Sequence, residues 1–140
     1  MKVALRLFNQ KSKKFVDMIM KNTSVQLLYF VDADDHKWGD MEKEYNIPYI
    51  SPYKLLSLME CGDIDRLIIS PFCSCNVIND VIEESIEMGI KKEYIVIPNI
   101  TDIYRIEKEG VFDLFSCTVD EYKTLARLQY HIADHCNLNC

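Results

Sequence analysis

Apolar residues fall along positions 1 to 100 in two alternating rhythms, short unbroken runs and stripes spaced by three or four. Val3 to Phe8 is a run and reads as a first strand, whereas Lys14 to Asn22 puts Phe15, Met18 and Ile19 on one helical face, with Asn22 as the stop. Leu27 to Val31 is almost wholly apolar, as a strand buried on both faces should be. Ile47 to Ile50 gives a third strand. Ser51 then stands as an N-cap with Pro52 at the first helical position, and Leu55, Leu56 and Met59 turn inward until Gly62. Asp65 to Ile69 predicts a fourth strand. From Asn76 a stripe of Val77, Ile78, Val81, Ile82 and Ile86 faces away from Asp80, Glu83, Glu84 and Glu87, with Gly89 closing the helix. Tyr94 to Ile97, stopped by Pro98, is the fifth strand.

Strands alternating with amphipathic helices predict an α/β fold, a three-layer α/β/α arrangement on a five-stranded parallel sheet of order 3-2-1-4-5. Residues 1–100 form this domain. Residues 101–127 read as a connector with a short helix from Asp120 to Leu128, and 128–140 as a further strand and loop. The 140 residues suit one domain with a real core, and 49% hydrophobic with 27% charged content fits an ordinary globular chain. No apolar run approaches the roughly 20 residues that cross a bilayer, and Arg6 interrupts the first run before it can serve as a secretory signal. A net charge of −6 and a pI near 5.0 argue against nucleic acid as a partner. The six cysteines, without a signal peptide, are expected to be reduced thiols in a cytoplasm.

Open parallel sheets keep their ligand crevice at the carboxyl ends of the strands. The candidate lining is therefore Asn9, Lys11 and Ser12 after the first strand, Asp32 and Asp34 after the second, and Ser70 after the fourth. Asp32 can accept hydrogen bonds from a ribose or sugar diol, or Asp34 can simply cap the next turn while Trp38 covers the sheet edge. A dinucleotide-binding turn would be rich in glycine, but this one reads Asn9-Gln-Lys-Ser-Lys-Lys14, and all four glycines lie elsewhere. Tight NAD binding in the usual manner is not expected, because side chains stand where a pyrophosphate needs bare backbone. Cys73 and Cys75 are too close-set for an unstrained disulfide.

Two stretches resemble known families. Val31-Asp-Ala-Asp-Asp-His-Lys-Trp-Gly39 followed by Ile47-Pro-Tyr-Ile-Ser-Pro52 resembles the D-N-D-x-x-K-W-G and I-P-V-I-S-P signature of Rossmann-like domains related to sugar-nucleotide epimerases. His131-Ile-Ala-Asp-His-Cys136-Asn-Leu-Asn-Cys140 resembles the start of the radical SAM cluster loop, C-x-x-x-C-x-x-C, without its third cysteine. The second resemblance implies that Cys136 and Cys140 are ligands of a 4Fe-4S cluster that binds S-adenosylmethionine in a longer parent enzyme. The expectation is then an N-terminal accessory or substrate-recognition domain, cut inside the cluster loop, inactive alone and holding neither cluster nor S-adenosylmethionine. Its partners would be the barrel that follows and a small-molecule, sugar or carrier substrate, with no membrane partner and with dimerisation through the C-terminal strand. The alternative is a nucleotide- or sugar-nucleotide-binding epimerase-like module.

Overall fold

The computed structural model describes residues 1–21, 24–99 and 117–124. Along the chain lie β1 (Lys2–Arg6), α1 (Lys13–Lys21), β2 (Gln26–Val31), β3 (Met41–Glu42), β4 (Ile47–Ile50), α2 (Pro52–Glu60), β5 (Arg66–Ile69), α3 (Cys75–Met88) and β6 (Ile95–Val96), with single 3₁₀ turns at Gln10–Ser12, Asp35–Lys37 and Lys92–Tyr94. The sheet order is β3-β4-β2-β1-β5-β6. The pairs β1–β2, β1–β5, β2–β4 and β5–β6 are parallel, so the five apolar runs take the 3-2-1-4-5 order that their crossovers imply.

The sheet has six strands, however, rather than five, and is not wholly parallel. Met41 and Glu42 pair antiparallel with Pro48 and Ile47. This short edge strand sits among Asp40, Lys43 and Glu44, where no run of apolar residues marks it. It is held by its hairpin, in which Asn46 takes φ +55 and its N–H donates to the Glu42 carbonyl at 2.7 Å. The first strand also stops earlier than its apolar run, because Leu7 adopts φ +67. A left-handed conformation costs a leucine about 1–2 kcal/mol. It turns the chain out of the sheet at the edge of the crevice described below.

Strand alternation splits the core into two layers. Val3 and Leu5 face α1 and meet Phe15, Val16, Ile19 and Phe30, while Ala4 faces the other side with Leu55, Leu67, Ile69, Ile78 and Ile82 beneath α2 and α3. Fully buried side chains such as Ile68 and Ile82 each contribute about 1.5–3 kcal/mol of transfer free energy. The helix signals behave as their chemistry dictates. Ser51 Oγ accepts from Lys54 N, Ser74 Oγ accepts from Val77 N, and Gly89 closes α3 at φ +113. Val77 departs from the expected stripe: it lies in the first turn of α3 and is 42% exposed, although its neighbour Ile78 is buried in the core.

After β6 the chain returns to the same edge. Ile97 N donates to Cys117 O at 3.0 Å, residues 119–124 are helical, and Val119 is fully buried in the layer under α3. Lys123 meets Glu83 of α3 at 2.9 Å, and Lys92 pairs with Asp120. The proposed strand, the cysteine pair and the dimer contact of 128–140 lie outside the described residues, as do Asn22 and most of 101–127. Among the described residues no helix is long and apolar enough to cross a membrane.

Candidate binding crevice

A crevice of about 380 Å³ opens where β1 and β2 end, lined by Arg6, Leu7, Phe8 and Asn9 from the first strand and its turn, Val31, Asp32 and Ala33 from the second, and Cys73 and Val81 from beyond β5. It lies beside β1, where the chain changes direction across the sheet, β2 and β4 lying to one side and β5 and β6 to the other. Its walls are mostly apolar with a few convergent polar groups, the usual make-up of a small-molecule site.

Asn9 governs the turn. Its Oδ1 accepts from Lys11 N at 2.9 Å and Ser12 N at 3.1 Å, while Ser12 Oγ accepts from Asn9 N at 2.9 Å. The carboxamide Nδ2 donates to the Phe72 carbonyl at 3.2 Å and to Cys73 Sγ at 3.3 Å. Those two backbone N–H groups lie at the start of the first helix after β1, where a phosphate would otherwise receive them. Here the side chain of Asn9 takes their place, so the cradle is filled from within. Ser12 is fully buried in this capping box, and Lys11 is exposed beside it.

Asp32 is held as a fixed carboxylate. Oδ1 accepts from Asp34 N at 2.9 Å and Oδ2 from Lys37 Nζ at 3.3 Å. The bond to Asp32 raises the Lys37 ammonium above the ordinary lysine range. Trp38 Nε1 donates to the Asp32 carbonyl at 2.6 Å, and Gly39 N donates to Tyr49 O, which ties the loop after β2 along β4. Asp34 lies outside the crevice and caps the Asp35–Lys37 turn through His36 N at 3.0 Å. Ser70 is fully buried, its Oγ accepting from Phe72 N at 3.3 Å, and it shapes the loop instead of lining the crevice.

Of the residues singled out in the sequence, the crevice thus gathers Asn9 and Asp32 and leaves Lys11, Ser12, Asp34 and Ser70 in supporting places. It adds Arg6 and Cys73. A lone arginine at the end of an otherwise apolar strand was the available signal for Arg6. Burial pushes the Cys73 thiol up, with the Asn9 amide and Lys11 pulling weakly the other way, so it is a neutral wall.

Cys136 and Cys140 lie outside the described residues. Among the described residues the one group of three close metal-type ligands is Asp34, Asp35 and His36, all exposed and without a cysteine.

No protein-family model matches the chain. No curated protein matches it either. Among solved structures it is similar to the crystal structure of UDP-D-quinovosamine 4-dehydrogenase from Vibrio fischeri, with a TM-score of 0.53 and 18% identity over 81% of this chain and 88% of that one. The likeness establishes a Rossmann-like α/β domain.

Proposed function

We propose that the chain is a recognition domain that binds a small sugar-type ligand in the crevice between Asn9 and Asp32. The observation that carries this reading is the filled cradle. With Lys11 N and Ser12 N already bonded to Asn9, a dinucleotide finds no backbone donors for its pyrophosphate, while the Asp32 carboxylate still offers lone pairs to a diol. The fold is shared with an enzyme named for a UDP-sugar, which is the same ligand class. Calorimetry on the chain with NAD, UDP-glucose and free glucose tests the reading. Glucose should bind saturably and more tightly than UDP-glucose, whose diphosphate meets the same filled cradle, and Asp32→Ala should abolish the heat. Saturable micromolar binding of NAD would overturn it.

A second reading concerns the protein in which this domain acts, and rests on Cys136-Asn-Leu-Asn-Cys140. The domain serves a radical SAM enzyme as its N-terminal recognition part, delivering substrate toward a barrel whose cluster loop begins with those two thiolates. Two thiolates do not hold a 4Fe-4S centre. A version lengthened through a third cysteine and the barrel should take up about four irons on anaerobic reconstitution, as the cluster formula requires. Cys136→Ala should remove them and Cys73→Ala should not. Equal iron uptake by the 140-residue chain would count against the radical SAM assignment.

A further inference from the structure

Resting on the sugar-binding reading above, we infer that Arg6 is the anion-reading group of the crevice, and that the ligand is a hydroxylated carboxylate, a sugar acid of monosaccharide size. Arg6 is 4% exposed at the end of the central strand, yet it lines the crevice. A buried guanidinium needs partners for a rigid fork of five N–H donors. Among the described residues Arg6 has one, Glu84 of α3, which Nη2 reaches at 3.0 Å and which is itself 47% exposed. The remaining guanidinium nitrogens are not sealed in dry core, since among the described residues the buried side-chain atom left without a partner is Tyr122 Oη. They face the solvent that the crevice admits, with a donor surface and a positive charge to offer.

The chemistry of the surroundings selects among anions. A planar carboxylate matches the fork of a guanidinium with two parallel bonds and carries one negative charge. A phosphate dianion needs more donors than one shared arginine supplies, and Asn9 has taken the backbone N–H groups that would have helped. Its second charge would also stand near Asp32 and Glu84. Asp32, one residue past the Val31 that pairs with Arg6, lines the same crevice and accepts from hydroxyls, so the two groups read the acidic and the hydroxylated parts of one molecule. About 380 Å³ is near the small end of ligand sites, which suits a single ring.

Titration of the 140-residue chain with glucuronate, glucose and glucose 6-phosphate, followed by calorimetry and by amide NMR, decides the matter. Glucuronate should bind about tenfold or more tightly than either of the others, the gain expected of a charge-assisted bond. Arg6→Lys keeps the charge but not the fork; it should lose about that tenfold for glucuronate and leave glucose unchanged. Glu84→Gln releases the guanidinium from its competitor and should tighten glucuronate several-fold. This second variant removes a half-exposed group and decides the question even where Arg6→Lys is poorly folded. Equal affinity for glucuronate and glucose would overturn the role of Arg6 while leaving the sugar reading in place. Tightest binding of glucose 6-phosphate would overturn the choice of carboxylate. Silence from all three probes would overturn both readings together.

Discussion

Asn9 is short enough for its carboxamide to fold back on its own turn, and long enough for the same group to reach across to the loop after β5. It thereby replaces both the glycines and the ligand of a phosphate turn. Asn9→Ala strands the Lys11 and Ser12 N–H groups and the Phe72 carbonyl together. The expected loss is about 1–2 kcal/mol, that of a helix N-cap and one further partly buried bond. Urea unfolding with an unchanged slope measures it. A loss of a few tenths would show that water substitutes freely for the side chain. The sequence disclosed that the glycines were missing. It did not disclose that a side chain had taken the phosphate's place, because an asparagine after a strand reads equally as an ordinary turn residue.

Among the elements, α3 shows which signals are local and which are not. Its stop at Gly89 is decided by groups within a few residues and was legible, whereas the sequence left its start between Ser74 and Asn76 and the structure has Ser74 as the cap. Val77, by contrast, fits the stripe by spacing yet is 42% exposed beside the buried Ile78, since which side of the stripe meets the sheet is a fact of tertiary geometry. The strand β3 was hidden for the same reason. Two residues in a charged stretch pair only because β4 and the Asn46 turn hold them. The parallel order was legible because crossover helices of this length leave few other routes. Gly89→Ala isolates one of the local signals. A Cβ there would meet nothing nearer than Leu56 Cδ1 at 4.0 Å, so the cost is conformational alone, about 1 kcal/mol from forcing φ +113 on an alanine. The thermal midpoint reports it. An unchanged midpoint would mean that α3 simply frays one turn earlier.

At the scale of the whole molecule, several acids titrate late for a shared reason. Burial raises the phenols of Tyr45, Tyr49 and Tyr122 and the thiol of Cys73 above their ordinary values, with Asp17 adding to Tyr45 and the Cys75 sulfur to Tyr122. The folded chain therefore keeps protons that the unfolded chain releases from about pH 9 for the thiol and about pH 10 for the phenols. Native protein binding more protons means that stability falls with rising pH. The contribution is intact below about pH 9 and is progressively lost above it. Denaturant midpoints measured from pH 7 to 11 should be level at first and then decline. Tyr45→Phe should soften the decline, since Phe has no proton to lose. A level profile to pH 11 would mean that these groups are as solvated in the folded state as in the unfolded one.

The bond from Ile97 N to Cys117 O fastens the returning chain to the sheet edge and sets positions 97 and 117 side by side, which closes a ring. With Val119 buried and Lys123 on Glu83, the return point is anchored by its own contacts. Closing a ring of this kind costs entropy that grows only as the logarithm of its length, so inserting about ten Gly-Ser residues at position 116 should shift stability by no more than about 1 kcal/mol and preserve cooperative unfolding. Circular dichroism and urea melts decide this; a broadened transition would mean that the Ile97–Cys117 seam does not hold on its own. A ring whose length is nearly free is also a port. With β6 and the residues 117–124 holding the seam shut, a foreign loop, tag or second module inserted between 97 and 117 is expected to leave the described domain folded.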